Sequence, residues 1–408
     1  MPLTVARIGA QGDGLAPLPG GGQAVLPFTL PGEVAEPGEP PRILIPSPDR
    51  VAAPCPHFGI CGACALQHWA DAPYAAWKRG LLVHALARAG FPDAPVGALA
   101  RTPPGDRRRA DLGLWREAEG HVVIGFHPRG ETRPLAIRAC PVLDPALPAL
   151  LPALAEALRA ISGLRRSGGV LVNLLDTGPD LLLRTDGPLT QPDRQRLAAF
   201  AVAHGIPRIA WAGPKGVVEV AAQLAPVRHR LSGMEVSPPP GAFLQASRAG
   251  EAAIIAAVLA GLPAKLSRRA RIADLYAGIG TLSLPLAAHG VVEAFEGDAG
   301  AAAALKGAHP RVSARHRDLA RQPLLPAEIK NHAVLVLDPP HGGAPAQMAQ
   351  IARSAARHLV YVSCHPAALA RDAAVLREAG FAVAAATPVD QFLWSAELES
   401  VVVFARPG

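Results

Sequence analysis

From about residue 241 to the end, apolar stretches and helix-like stretches take turns: a helix around 246–260, then RIADLY, a helix after Gly280, then VVEAFEG, AVLVLD, HLVYVSC, AVAAAT and a final SVVVFA. Strands joined through helices lie parallel by right-handed crossovers, and strands that are apolar on both sides need cover on both faces. The alternation therefore predicts an α/β unit, a mostly parallel sheet with helices on both faces. In such sheets ligands sit beyond the carboxyl ends of the strands. The longest clean apolar stretch, Ala252 to Ala264, is shorter than the roughly 18 residues of a membrane span. A membrane protein is excluded.

Four segments fall at those carboxyl ends or near them. Asp274-Leu275-Tyr276-Ala277-Gly278-Ile279-Gly280-Thr281 joins a strand to a helix with small residues that let a ligand approach the backbone, and Glu296 closes the next strand, placed to accept from ribose hydroxyls. A dinucleotide fingerprint wants Gly or Ala where Ser283 stands; with Asp274 just before the loop, the pattern favours S-adenosylmethionine over NAD. Asp338-Pro339-Pro340-His341-Gly342-Gly343 follows AVLVL, where Asp338 is placed to accept from a base N–H or a cofactor. Ser363-Cys364-His365-Pro366 ends HLVYVS. A lone cysteine is usually a small core hydrophobe, but this one stands at the mouth of the sheet, where a thiolate is a strong nucleophile. Near it in the fold, one carboxylate of Glu397-Leu398-Glu399-Ser400 is a candidate general base.

The cysteine count adds a second constraint. There are 5, with Cys55, Cys61 and Cys64 together, Cys140 apart and Cys364 far downstream. An odd number without a secretory leader argues for metal-bound or catalytic thiols in the cytoplasm, not a disulfide framework. The set reads as four plus one, the four suiting either zinc or an iron–sulfur cluster.

Charge is less informative. Lys+Arg number 40 against 33 Asp+Glu, a net +7. Local clusters at Arg107, Arg108 and Arg109, at Arg228, His229 and Arg230, and at Arg268, Arg269 and Arg271 are placed to touch phosphates. Residues 1–50 carry Arg7, Arg42 and Arg50 against Asp13, Glu33, Glu36, Glu39 and Asp49, so this Gly- and Pro-rich arm of short β pieces is acidic. Three units are expected: a small β-barrel over 1–50, a central α+β unit over 51–240 bearing the cysteine loop, and the α/β unit over 241–408. WADAPYAAWKRGLLVHALARAG reads as a helix ending at Gly90, with further helices near 147–161 and 191–204.

In combination, the motifs resemble the RNA uracil-C5 methyltransferase family, closest to its iron–sulfur-containing members that act on 23S rRNA. IGAQGDGLA and LPFTLPGE resemble a shortened TRAM barrel; PCPHFGICGACALQH the cluster loop; RACPVLDP the fourth-ligand segment; GDRRRADLGLW and IGFHPRGETRPLAI the central domain; and FLQAS, DLYAGIGTLSLPLA, FEGD, LDPPHGG, YVSCHPAALARD and ELESVVVF the methyltransferase motifs in order. The resemblance spans nearly the whole chain. It implies a Rossmann-like class I methyltransferase that makes 5-methyluridine. It assigns Cys55, Cys61, Cys64 and Cys140 to a 4Fe–4S cluster, and Gln245, Tyr276, Glu296, Asp338, Thr281 and Asp318 to S-adenosylmethionine. Cys364 becomes the nucleophile that adds to C6 and Glu399 the base that removes the C5 proton. The expected partner is RNA and the expected state a cytoplasmic monomer. The same chemistry on tRNA and a non-catalytic iron–sulfur RNA-binding protein are the alternatives. The sequence departs from the family pattern at His365 (Asn in the family), Glu397 (His) and His341 (Arg).

Overall fold

The computed structural model describes residues 1–407. Its largest sheet has eight strands in the order Val312–His316, Val291–Glu296, Arg271–Leu275, Val334–Leu337, His358–Ser363, Glu399–Ala405, Ala382–Asp390 and Ala100–Arg101. The first five are parallel; Glu399–Ala405 runs antiparallel to both its neighbours. Alternation along each strand explains why both faces are covered. Val334 and Val336 point into one core with Ile254 and Val258 of the helix Arg248–Ala260. Leu335 and Leu337 point into the other, with Met348 and Ile351 of Pro345–Ala352 and Leu369 and Leu376 of Pro366–Glu378. The strand Val312–His316, whose VSARH sequence is too polar to stand out, lies at the sheet edge.

The second core is completed from outside the stretch assigned to it by sequence. Leu82 and Leu86 of the helix Asp71–Arg88 are buried in it, and Ala100–Arg101 adds the last strand to the sheet. Residues 71–101 thus pack on the C-terminal sheet, because the return strand Ala382–Asp390 leaves an edge and an apolar face that need covering. Lys78 on this helix is fully buried and forms an ion pair of 2.9 Å with Asp390, which also accepts from the Tyr74 hydroxyl at 2.7 Å. Lys78 further donates to the carbonyls of Phe392 and Glu397, so one buried cation holds the loop between the last two long strands.

The central unit is a seven-stranded sheet backed by the helices Ala146–Arg159 and Gln191–His204 over a core of Leu147, Leu154, Leu183 and Trp211. Residues 1–50 form six short strands in two three-stranded sheets, with Glu33 buried against Arg50 at 2.6 Å. No helix among the described residues is long and apolar enough to cross a membrane.

Candidate active site

A cavity of about 630 Å³ opens at the carboxyl ends of the parallel strands. Six residues named from sequence line it: Gln245, Tyr276, Glu296, Asp338, Cys364 and Glu399. Their convergence follows from topology. Tyr276, Asp338 and Cys364 each come directly after a strand, at Leu275, Leu337 and Ser363, and Glu296 ends another. Glu399 begins a strand instead, yet reaches the same edge because that strand runs the other way, with Ser400 opposite Ser363.

The loop after Leu275 is shaped for close approach. Tyr276 takes a left-handed backbone (φ 64°), a conformation that costs a non-glycine residue about 1–3 kcal/mol and tends to persist at functional sites. Gly280 (φ 103°) has no room for a side chain, since a Cβ would stand 2.5 Å from Leu305 Cδ1. Gly278 N–H donates to Glu296 Oε2 at 2.7 Å and Asp298 N–H to Oε1 at 2.6 Å, so the carboxylate is held with lone pairs to spare. Asp274 lies beneath, fully buried, accepting from the Ser283 hydroxyl; burial pushes its carboxyl up to about 7. Thr281 lines a smaller adjoining cavity together with Asp338 and Tyr276. Asp318 lines neither: its half-exposed carboxylate accepts from the N–H groups of Ala320 and Arg321.

On the other side of the cavity, burial pushes the Cys364 thiol up to about 12, with Glu399, Asp338 and Glu397 adding to the effect. Burial likewise raises the Glu399 carboxyl well above its usual range, reinforced by Asp338, while the hydrogen bond from Gln391 opposes the shift. Asp338 is also raised by burial, opposed by Gln245. Of the two candidate bases, Glu399 is buried and lines the cavity, whereas Glu397 is exposed and does not. The departures His341 and His365 meet: their rings stack with centroids 4.0 Å apart, and His341 lines the cavity.

Sequence reasoning named the arginine run at 107–109 as phosphate contacts but passed over two lining residues, Phe243 and Gln391. Phe243, within FLQAS, is exposed at the mouth with the Arg109 guanidinium 5.0 Å from its ring centre; Arg107 lines the wall nearby. The signal for Phe243 was present in the FLQAS motif but unread. Gln391 carried no signal at all.

Cys55, Cys61, Cys64 and Cys140 line one separate small cavity, with His57 and Gln67. All four are half-buried and free of disulfides. Among the described residues, no group of three or more His, Cys, Asp or Glu stands as a ready-made metal-ion site. The loop is tied to its surroundings by Gly62 N–H to the His127 carbonyl (3.1 Å), and by Ala65 and Leu66 N–H to the Trp394 carbonyl (2.9 and 3.0 Å).

No family model matches the chain. It is 40% identical over 423 residues to the "Uncharacterized RNA methyltransferase" of Caulobacter vibrioides, covering 99% of each chain. It is 34% identical over 399 residues to the "23S rRNA (uracil(1939)-C(5))-methyltransferase RlmD" of Edwardsiella ictaluri, covering 92% of this chain and 89% of the relative. Among solved structures it is similar to the tRNA (uracil-54, C5)-methyltransferase of Pyrococcus abyssi in complex with S-adenosyl-L-homocysteine, with a TM-score of 0.71 at 20% identity, covering 99% of this chain and 100% of the other; that likeness bears on the fold. With relatives above 30% identity matched over 79–99% of their length, the chain belongs to the S-adenosylmethionine-dependent RNA uracil-C5 methyltransferase family.

Proposed function

We propose that this chain transfers a methyl group from S-adenosylmethionine to C5 of a uridine in 23S rRNA, through a covalent bond between Cys364 and C6. The observation that carries the reading is the meeting of a thiol, a buried carboxylate and a held Glu296–Asp338–Gln245 set on one cavity. Glu296 would accept from ribose hydroxyls, Asp338 and Gln245 would meet polar groups of the cofactor, and Tyr276 would close over it, with Thr281 and Asp318 more peripheral. S-adenosylmethionine bound there supplies an electrophilic methyl group.

Uracil C5 is a poor nucleophile on its own. The Cys364 thiol gives up its proton to solvent water, the S–C6 bond forms, and the C5=C6 electron pair shifts onto the C4 oxygen as an enolate. C5 would then take up the methyl group as the C4 carbonyl re-forms, with S-adenosylhomocysteine the leaving group. Glu399 removes the C5 proton, the double bond re-forms, and the thiolate leaves as S–C6 breaks. Covalent catalysis of this kind divides one hard step into easier ones. A target base in folded RNA must first be unstacked, at a cost of a few kcal/mol; the exposed Phe243 face backed by Arg109 offers a stacking platform that offsets it.

The four clustered thiols fit an iron–sulfur group chemically. Cys64 is pushed up to about 12, chiefly by burial and further by the three neighbouring thiols, and crowding of this kind is what a bound cationic group relieves. We assign Cys55, Cys61, Cys64 and Cys140 to a 4Fe–4S cluster, residues 1–50 to a shortened TRAM-like unit, 51–240 to the cluster-bearing central unit, apart from 71–101, which pack on the C-terminal sheet, and 241–408 to the methyltransferase unit of a cytoplasmic monomer.

Purified enzyme is expected to move label from methyl-labelled S-adenosylmethionine into 23S rRNA from cells lacking the gene, with 5-methyluridine as the product. Label entering tRNA instead would overturn the substrate assignment, and none entering either RNA would overturn the catalytic reading. Anaerobically purified protein is expected to be brown, from thiolate-to-iron charge transfer. A colourless protein holding zinc would replace the cluster with a zinc site.

A further inference from the structure

Gln391 follows directly on the strand Ala382–Asp390, lines the cavity and is 3% exposed. Its side chain is fully engaged. Oε1 accepts from the Ala246 N–H at 3.1 Å, while Nε2 donates to Gln245 Oε1 at 2.9 Å and to Glu399 Oε2 at 2.6 Å. Gln245 in turn donates through Nε2 to Asp338 Oδ2 at 2.9 Å. Both hydrogens of one amide and the oxygens of two are thereby committed, and reversing either amide would set donor against donor. The result is one directed chain, Glu399 at one end and Asp338 at the other, each receiving a hydrogen.

Two features hold Gln391 in place. The residue before it, Asp390, is ion-paired to Lys78 at 2.9 Å and its carbonyl accepts from the Thr102 hydroxyl at 2.6 Å. Gly250 faces it from the helix Arg248–Ala260, where any Cβ would stand 2.5 Å from Gln391 Cβ. At the far end of the relay, Glu399 Oε1 is buried without a hydrogen-bond partner. An unpaired buried carboxylate oxygen is costly, and this one lies on a carboxylate lining the same cavity as Cys364.

We propose that Gln391 is a positioning residue for proton removal: it anchors Glu399 by Oε2, leaving Oε1 to take the C5 proton, and ties that setting through Gln245 to Asp338. The inference rests on the reading of Glu399 as the base. In the step concerned, the C5–H bond breaks towards Oε1, its electron pair re-forms C5=C6, and the S–C6 bond breaks to release the Cys364 thiolate. The Gln391 N–H favours the ionised carboxylate, against the burial that raises it.

The test compares wild type with Gln391→Met and Gln391→Glu, both close to the original size. Single-turnover reactions on 23S rRNA are followed for denaturation-resistant protein–RNA adduct and for methylated product, across a pH series. Both variants are expected to form adduct but to release product about 10- to 100-fold more slowly, the range for stranding a buried hydrogen-bond partner. The acidic limb of kcat should move to higher pH, because the base is harder to ionise, and the KM for S-adenosylmethionine should rise a few-fold through Gln245. If Gln391→Met fails to fold, Gln391→Glu decides. Unchanged product release and pH limb would overturn the proposal, as would equal loss of adduct and product with no shift in the limb. Wild type lacking methyl transfer would overturn the parent reading instead, so the two failures are distinct.

Discussion

Glu399→Gln is expected to turn the protein from a catalyst into a trap. Glutamine keeps the size of the side chain and an oxygen to accept from Gln391 Nε2, but it cannot take a proton from C5. Addition of Cys364 and methyl transfer come before that step, so a methylated protein–RNA adduct that survives denaturation should accumulate. Product release should fall by about 10²–10⁴, the usual contribution of a general base. Gel analysis of the adduct with labelled cofactor reads this directly. The exposed Glu397 provides the contrast: an adduct trapped by Glu397→Gln and not by Glu399→Gln would reassign the base. Both groups carry raised pKa values, Glu399 well above its usual range and Cys364 to about 12. A carboxyl with a raised pKa loses its basic form as pH falls through that value, and a thiol with a raised pKa gains its nucleophilic form only as pH rises. Both effects have the same sign, so turnover should climb with pH through neutrality.

Cys364→Ala should have the largest effect of any single substitution, abolishing adduct and product together. Without sulfur there is nothing to add to C6, and C5 does not become an enolate carbon. Cys364→Ser serves as the steric control, since a hydroxyl fits the same space and remains a far weaker nucleophile near neutral pH. Because these variants stop the reaction before addition while Glu399→Gln stops it after methyl transfer, the two sets of gels should differ in kind. Product formation by Cys364→Ala would sink the covalent mechanism.

Much of the architecture was legible in local patterns. Strands such as Val334–Leu337 are apolar at every position, which marks burial on both faces before any partner is known. Val312–His316 escaped notice because an edge strand is covered on fewer sides and tolerates Ser, Arg and His. Cys364 and Asp338 were legible as candidates because they follow apolar strands directly. Asp318 came from its motif neighbours alone: its carboxylate accepts from the Ala320 and Arg321 N–H groups and stands outside the cavity lining.

Taken alone, the order of residues determined which segments become strands, which helices link them, and which side chains stand at strand ends, because periodicity and turn chemistry act over a few residues. Only the tertiary structure decided what depends on register and packing between distant segments. Glu399 was separated from Glu397 by the antiparallel register that sets Ser400 opposite Ser363. Cys140 came to share a cavity wall with Cys55, Cys61 and Cys64. Residues 71–101 were drawn onto the C-terminal sheet because an uncovered edge and apolar face are costly in water. Gln391 acquired its place between Gln245 and Glu399 in the same way: 146 residues separate it from one and 8 from the other, and a hydrogen bond depends on distance in space.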